Sequence, residues 1–148
     1  MRVDFYHLHD SPLERALPLL LDRAMQAGLR AVVMAASDDR LEALSGVLWT
    51  YTSDSWLPHG SAKDGFAKDQ PIWLTTAEEN PNDARLLVLT DGMTSSRLGE
   101  FDRCLDLFDG ANEAATTAAR ERWREAKAAG HELHYWQQTP AGWQEKAT

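Results

Sequence analysis

The 148-residue sequence has little cysteine and no long hydrophobic run. Its single cysteine, Cys104, cannot form a disulfide within the chain, which is typical of a protein from a reducing compartment. No apolar stretch approaches the roughly 20 residues of a membrane-spanning helix. The N-terminal residues also lack the apolar core and the cleavage site of a secretory signal. We therefore expect a cytoplasmic protein that does not enter a membrane.

Positive charge is also scarce in this chain. Fifteen Lys and Arg residues face 23 Asp and Glu residues, so the formal net charge is −8. Because binding to a phosphate backbone needs clustered Lys and Arg, we do not expect direct binding to nucleic acid. A local basic patch would still suit an acidic partner.

Motifs for nucleotide binding and catalysis are missing as well. Gly60 and Gly65 have the spacing of a P-loop, but Phe66 and Ala67 follow where Lys and Ser or Thr are required. The sequence contains no G-x-G-x-x-G and no G-x-S-x-G. We therefore predict no cofactor, no metal and no catalytic activity.

One enzymatic alternative stays open. Asp91 follows an apolar strand and precedes Gly92, a position where α/β enzymes often carry a catalytic acid. His7 and His9 form an H-x-H pair at the end of the first predicted strand, and such a pair can hold a metal. An Asp-Gly turn and two histidines at a half-exposed strand end explain the same residues. An unrecognised active site near Asp91, His7 and His9 is thus the alternative.

The order of apolar patterns predicts an α/β fold. Predicted strands cover residues 2–8, 29–36, 72–76, 84–90 and, from its alternation, 103–109. Helices are predicted to begin at Pro12, with Ser11 as the cap, and to follow Ser37 and Asn112. Strands that alternate with helices favour a mostly parallel sheet covered on both faces.

Residues within and after these elements refine the prediction. Gly28 and Gly130 are expected to end the first and third helices, and Pro18 predicts a kink or a late start in the first. Residues 132–138 and 143–146 resemble a terminal hairpin, across which Trp136 and Trp143 would pack.

One side of the long third helix combines a tryptophan with positive charge. Residues at i, i + 4, i + 7 and i + 11 form a stripe, which consists of Thr116, Arg120, Trp123 and Lys127. Arg122 and Arg124 flank this stripe. A solvated face with salt bridges to Glu121 and Glu125 would explain the charges alone. The tryptophan favours a site for an acidic peptide with an aromatic or aliphatic anchor. Stacking of a single-stranded nucleobase is a further alternative, which the net charge disfavours.

A second aromatic group lies between residues 48 and 60. Trp49, Tyr51 and Trp56 alternate with polar residues, and Pro58 and Gly60 then interrupt any regular element. This composition is typical of a contact surface rather than a core. For His59, within the same segment, we expect a hydrogen-bonding role in a packed loop.

Three segments together resemble one known family. DFYHL at 4–8, LW and SWLPHG within 48–60, and ARERWREAKAAG at 119–130 are similar in order and spacing to the chi subunit of bacterial DNA polymerase III, a clamp-loader component. The resemblance implies one domain over residues 1–148 with three α/β/α layers, similar to nucleotide-binding domains but without the phosphate loop. It also implies a non-catalytic adaptor. Such proteins bind the acidic, Phe-ended C-terminal tail of the single-stranded DNA-binding protein, and either the psi subunit or an accessory helicase.

The resemblance also assigns site residues. The tail pocket would be formed by residues of the last predicted parallel strand and the long helix, namely Phe108, Arg120, Trp123, Arg124 and Lys127. The surface for psi or a helicase would include Trp49 and Trp56. The family often has tyrosine at the position of Trp123, and one member has phenylalanine at that of Trp56. The C-terminal segment is longer than in some members, and an added edge hairpin is the simplest explanation.

Overall fold

The computed structural model describes residues 1–9, 12–51 and 57–146. Its α-helices and strands are, in chain order, β1 (Arg2–Leu8), α1 (Leu13–Gln26), β2 (Ala31–Met34), α2 (Asp38–Trp49), β3 (His59–Ser61), β4 (Ile72–Thr75), β5 (Leu86–Leu89), β6 (Arg103–Asp109), α3 (Glu113–Ala128), β7 (Glu132–Thr139) and β8 (Gly142–Lys146). Among the described residues, none of the helices is long and apolar enough to cross a membrane.

The strands form a single eight-stranded sheet in the order β3-β4-β2-β5-β6-β1-β7-β8. Every neighbouring pair is parallel except β7 and β8, which are antiparallel. The predicted α/β fold, its mostly parallel sheet and its C-terminal hairpin are confirmed.

The two faces of the sheet are covered by different helices. Helices α1 and α2 pack on one face, and α3 packs on the other. Strand β6 shows how the sequence encodes this arrangement, because its side chains alternate between the faces. Leu105 and Leu107 join the core under α1 and α2, whereas Cys104 and Phe108 join the core under α3.

The helix ends largely follow the predicted signals. The Ser37 hydroxyl accepts a hydrogen bond from the Arg40 backbone N–H at 3.2 Å, and the Asn112 side chain accepts one from Ala115 at 2.9 Å. Gly28 and Gly130 adopt φ values of 76° and 84°, in the left-handed region that glycine tolerates and that stops a helix. These two caps and two stops are confirmed.

Helix α1 differs from its prediction at the start. Pro12 is the extended N-cap residue rather than the first helical residue, and Ser11 lies outside the described residues. The late start is wrong because the helix already begins at Leu13 and continues through Pro18.

Strand β3 was not predicted, and its side chains explain why. His59, Gly60 and Ser61 have little intrinsic preference for strands, and they are held by parallel pairing with β4. His59 is buried, its Nδ1 lies 2.7 Å from the Leu57 carbonyl oxygen, and its Nε2 lies 3.0 Å from the Ser45 hydroxyl. The predicted hydrogen-bonding role of His59 is confirmed.

The C-terminal hairpin is fixed to the sheet by aromatic contacts and a buried carboxylate. Trp136 stacks on Tyr6 at 6.2 Å between ring centroids, and Trp143 meets the same ring edge-on at 4.9 Å. The Trp136 indole also donates to Asp4, which is completely buried and paired with Arg103 at 2.8 Å. Both tryptophans therefore lie on the α1 side of the hairpin and attach it to β1.

Candidate functional site

A cavity of about 420 Å³ lies between α3 and the strands β6, β7 and β8. It is lined by Phe108, Thr116, Ala119, Arg120, Trp123, Arg124, Lys127, Tyr135 and Lys146. The structure thus brings together all five residues expected at the tail pocket. That they bind a partner stays a prediction.

The floor of this cavity is aromatic. Trp123 is half-buried and meets Phe5 edge-on at 5.2 Å between centroids, and Tyr135 at 5.9 Å. Phe108 is buried and lies 6.2 Å from Tyr135. Edge-to-face packing of this kind fixes ring orientation, so the indole of Trp123 presents a preformed surface.

The rim of the cavity is basic. Arg120 and Lys127 are exposed on α3, and neither makes an ion pair within the part of the chain that the structure describes. Arg124 pairs with Glu121 at 3.1 Å, but both side chains are largely in solvent. An exposed pair of this type is weak and easily exchanged for another carboxylate.

Arg122 does not belong to this rim, which corrects the expectation that it flanks the stripe around Trp123 together with Arg124. Its guanidinium donates to Asp106 at 2.6 and 2.9 Å, and the two side chains are only 11% and 3% exposed. Burial raises the pKa of Asp106, and the bonds from Arg122 oppose this shift. Arg122 therefore neutralises the buried carboxylate of Asp106 under α3 and does not contribute to the positive charge of the rim.

Sequence reasoning missed Tyr135 and Lys146 as residues of the cavity. The Tyr135 hydroxyl lies 2.5 Å from Nδ1 of His7, which also packs against Phe108 at 5.2 Å between ring centroids. Alternation along β7 indicates that residues 133, 135 and 137 share one face. Only the strand order shows that this face adjoins α3.

The chain matches the model of one protein family, described as DNA polymerase III chi subunit, HolC, over residues 1–134. The chain belongs to this family. Probable DNA polymerase III subunit chi of Rickettsia prowazekii is 31% identical over 103 residues, which span 70% of this chain and only 62% of that relative. DNA polymerase III subunit chi of Pseudomonas aeruginosa is 24% identical over 135 residues, spanning 89% of this chain and 93% of the relative. The predicted resemblance is confirmed.

The C-terminal domain of S. cerevisiae Dbp5 L327V, solved bound to Gle1 H337R and IP6, is a structural neighbour. Its TM-score is 0.53 at 9% sequence identity, with 91% of this chain and 88% of that chain covered. At this identity the likeness concerns the fold alone.

The other surface expected for a chi subunit lies at the opposite end of the sheet. Trp49 ends α2, is 60% exposed, and lies 4.9 Å from the His59 ring. It borders an open cavity of about 700 Å³ formed by α2, residues 61–64 and the end of β4. Trp56 lies outside the described residues. Trp49 is thus exposed, as a contact surface requires, and a docking role stays a prediction.

Asp91 and His7, two residues of the enzymatic alternative, contact different parts of the chain. Asp91 is engaged by the Arg40 guanidinium at 3.1 Å and by the Ala36 backbone N–H at 3.2 Å. His7 instead faces Tyr135 and the ring of His9. Within residues 1–9, 12–51 and 57–146, no group of three or more His, Cys, Asp and Glu is suited to a metal.

Cys104 is completely buried under α3. Burial raises its pKa well above the ordinary value, and the nearby charge of Asp106 adds to the shift. Because thiolates are the reactive form, such a thiol is a poor nucleophile.

Proposed function

We propose that the chain is a non-catalytic, cytoplasmic adaptor of the DNA polymerase III holoenzyme, acting as one domain over residues 1–148. In this role it binds the acidic C-terminal tail of the single-stranded DNA-binding protein and connects it to the clamp loader. Family membership supports a part in DNA replication. The main support for the tail-binding proposal is the cavity beside α3, where exposed cations border an aromatic floor.

The chemistry of a Phe-ended acidic tail matches the two parts of this cavity. A terminal phenylalanine ring fits against Trp123 above the buried Phe108. A guanidinium group binds a carboxylate through charge-assisted hydrogen bonds, and Arg120 makes no ion pair with any residue that the structure describes, so it is available to the terminal carboxylate. Acidic side chains further along the tail would be attracted by Lys127 and by Arg124, whose exposed bond to Glu121 is readily replaced.

Direct binding of single-stranded DNA has weaker support. Arg122 on α3 is held by the buried Asp106 and adds no charge to the rim. The remaining rim cations are few and lie beside an aromatic floor, in a chain whose net charge is −8. Salt-sensitive binding of an oligonucleotide in the absence of any tail peptide would favour this alternative.

For the second partner, we propose that psi or an accessory helicase docks at Trp49. The support is the exposed indole beside an open cavity, since large exposed aromatic rings are enriched in interaction sites. This surface and the tail cavity lie at opposite ends of the sheet and on opposite faces. One molecule would therefore hold both partners at once, as an adaptor must.

The test is a calorimetric titration with a synthetic acidic peptide that ends in phenylalanine. Loss of a charge-assisted bond to a carboxylate costs roughly 1.5–3 kcal/mol, so Arg120→Ala should weaken binding about tenfold or more. Arg15→Ala, at an exposed position of α1 on the other face, is the matched control and should bind like the unaltered chain. Equal affinity of Arg120→Ala and Arg15→Ala would refute the assigned pocket.

A further inference from the structure

Two residues that line the cavity lie beyond the part of the chain that matches the family. The match ends at residue 134, whereas Tyr135 and Lys146 come from β7 and β8 of the C-terminal hairpin. Tyr135 adds a third aromatic ring next to Trp123 and Phe108. Lys146 adds a cation on the side of the cavity opposite α3.

We propose that the C-terminal hairpin forms an added subsite of this cavity, in which Lys146 binds an acidic side chain of the incoming peptide. The proposal rests on the proposed function, because it concerns the same cavity and the same peptide. It extends that function by assigning a contact that α3 alone does not supply.

The register of the hairpin places Lys146 where this contact requires it. Lys146 lies directly opposite Tyr135 in the antiparallel pair. Side chains directly opposite each other share one face of the sheet, with Cβ atoms about 4.5–5.5 Å apart. Lys146 therefore lines the cavity beside the aromatic floor that Tyr135 and Trp123 form.

The hairpin is fixed firmly enough to hold this position. On its other face, Trp136 donates to buried Asp4 at 2.9 Å, and Trp143 packs on Tyr6. His134 on β7 also bonds to Glu145 on β8, which ties together the two strands next to Lys146. A subsite on a fixed strand loses less conformational freedom on binding than one on a free terminus.

The charges of the rim indicate what this subsite would recognise. Arg120 and Lys127 provide positive charge from α3, and Lys146 provides it from β8, with the aromatic rings between them. Within the described residues Lys146 makes no ion pair, so its charge is available to a ligand. A ligand that pairs with the cations of both α3 and β8 carries one carboxylate on each side of an apolar ring. For a peptide ending in phenylalanine, these are the terminal carboxylate and an acidic side chain just before the ring.

The experiment compares two peptides that both end in phenylalanine with a free carboxylate. In the first, the residues before phenylalanine are aspartates, and in the second they are asparagines. Lys146→Gln is the test variant, and Lys68→Gln is its control for net charge, since Lys68 is exposed in the segment before β4. Exposed charge pairs contribute little, so we expect Lys146→Gln to weaken the aspartate peptide about two- to fivefold. It should leave the asparagine peptide unchanged, and Lys68→Gln should affect neither.

The outcomes separate this inference from the proposed function. If Arg120→Ala weakens both peptides but Lys146→Gln binds both like the unaltered chain, the subsite is refuted and the tail cavity stands. Equal losses in Lys146→Gln and Lys68→Gln would also refute the subsite, because the effect would then reflect net charge. If the unaltered chain binds neither peptide, both the subsite and the proposed function are wrong.

Discussion

Arg120 and Arg122 lie two positions apart on α3, and the structure predicts opposite consequences of removing them. Arg122→Ala would leave Asp106 as an uncompensated carboxylate whose side chain is 3% exposed. Breaking a buried ion pair by removing one partner costs roughly 3–5 kcal/mol. Since native domains are typically stable by only about 5–15 kcal/mol, this variant should lose a large part of its stability.

The same free energy can be expressed as a melting temperature. For a chain of about this size, each kcal/mol corresponds to about 2–4 °C, so the melting temperature of Arg122→Ala should fall by roughly 6–20 °C. Circular dichroism during heating and in urea measures both quantities. Arg120→Ala is the matched control, and because Arg120 is exposed its stability should change by less than about 0.5 kcal/mol.

A double variant tests the physical reason. Replacing both partners in Arg122→Leu with Asp106→Leu removes the buried charges together, and such replacements are often neutral or stabilising. The double variant should therefore be more stable than Arg122→Ala. If Arg122→Ala unfolds at the same temperature as Arg120→Ala, the assignment of Arg122 to a structural pair is wrong.

Three further predictions concern salt, the second surface and pH. Tail-peptide affinity should fall between low and physiological ionic strength, because screening weakens attraction at the exposed rim, and calorimetry showing a constant affinity would contradict the basic rim. Trp49→Ala should weaken psi or helicase binding in a pull-down by about 2 kcal/mol or more, while stability and tail binding stay nearly unchanged, and a loss of tail binding would argue against separate surfaces. Bonds to Glu132 and Glu145 raise the pKa of His134 above its ordinary 6.5. The backbone amides of the hairpin should therefore be fully protected from hydrogen exchange below pH 6.5 and lose protection as the pH rises through the folded-state pKa of His134. An NMR titration that gives His134 a pKa at or below 6.5 would show that these bonds do not stabilise the hairpin.

Local sequence patterns correctly predicted features that depend on a single strand or helix. The alternation in 103–109 predicted strand β6, with Phe108 and Leu107 on opposite faces, because the period of a strand is two. Helical spacing likewise placed Arg120, Trp123 and Lys127 on one side of α3, and the structure brings them to one cavity.

Features that depend on contacts between distant segments could not be predicted from local sequence patterns. The partner of Arg122 is Asp106, which lies sixteen positions away on β6. The sequence pattern within α3 therefore cannot distinguish the role of this arginine from that of Arg120. Lys146 reaches the cavity only because β7 pairs with β1 and β8 pairs with β7 in a particular register. A shift of one residue would turn Lys146 to the other face of the sheet.

Binding of the tail at Arg120 can be measured with two forms of one acidic peptide, one with a free C-terminal carboxylate and one with a C-terminal amide. The unaltered chain should bind the free acid at least about tenfold more tightly than the amide, since the amide cannot form the charge-assisted bond to Arg120. In Arg120→Ala this preference should largely disappear. Equal binding of acid and amide by the unaltered chain, or a preference that persists in Arg120→Ala, would contradict the assignment of this cavity to the tail of the single-stranded DNA-binding protein.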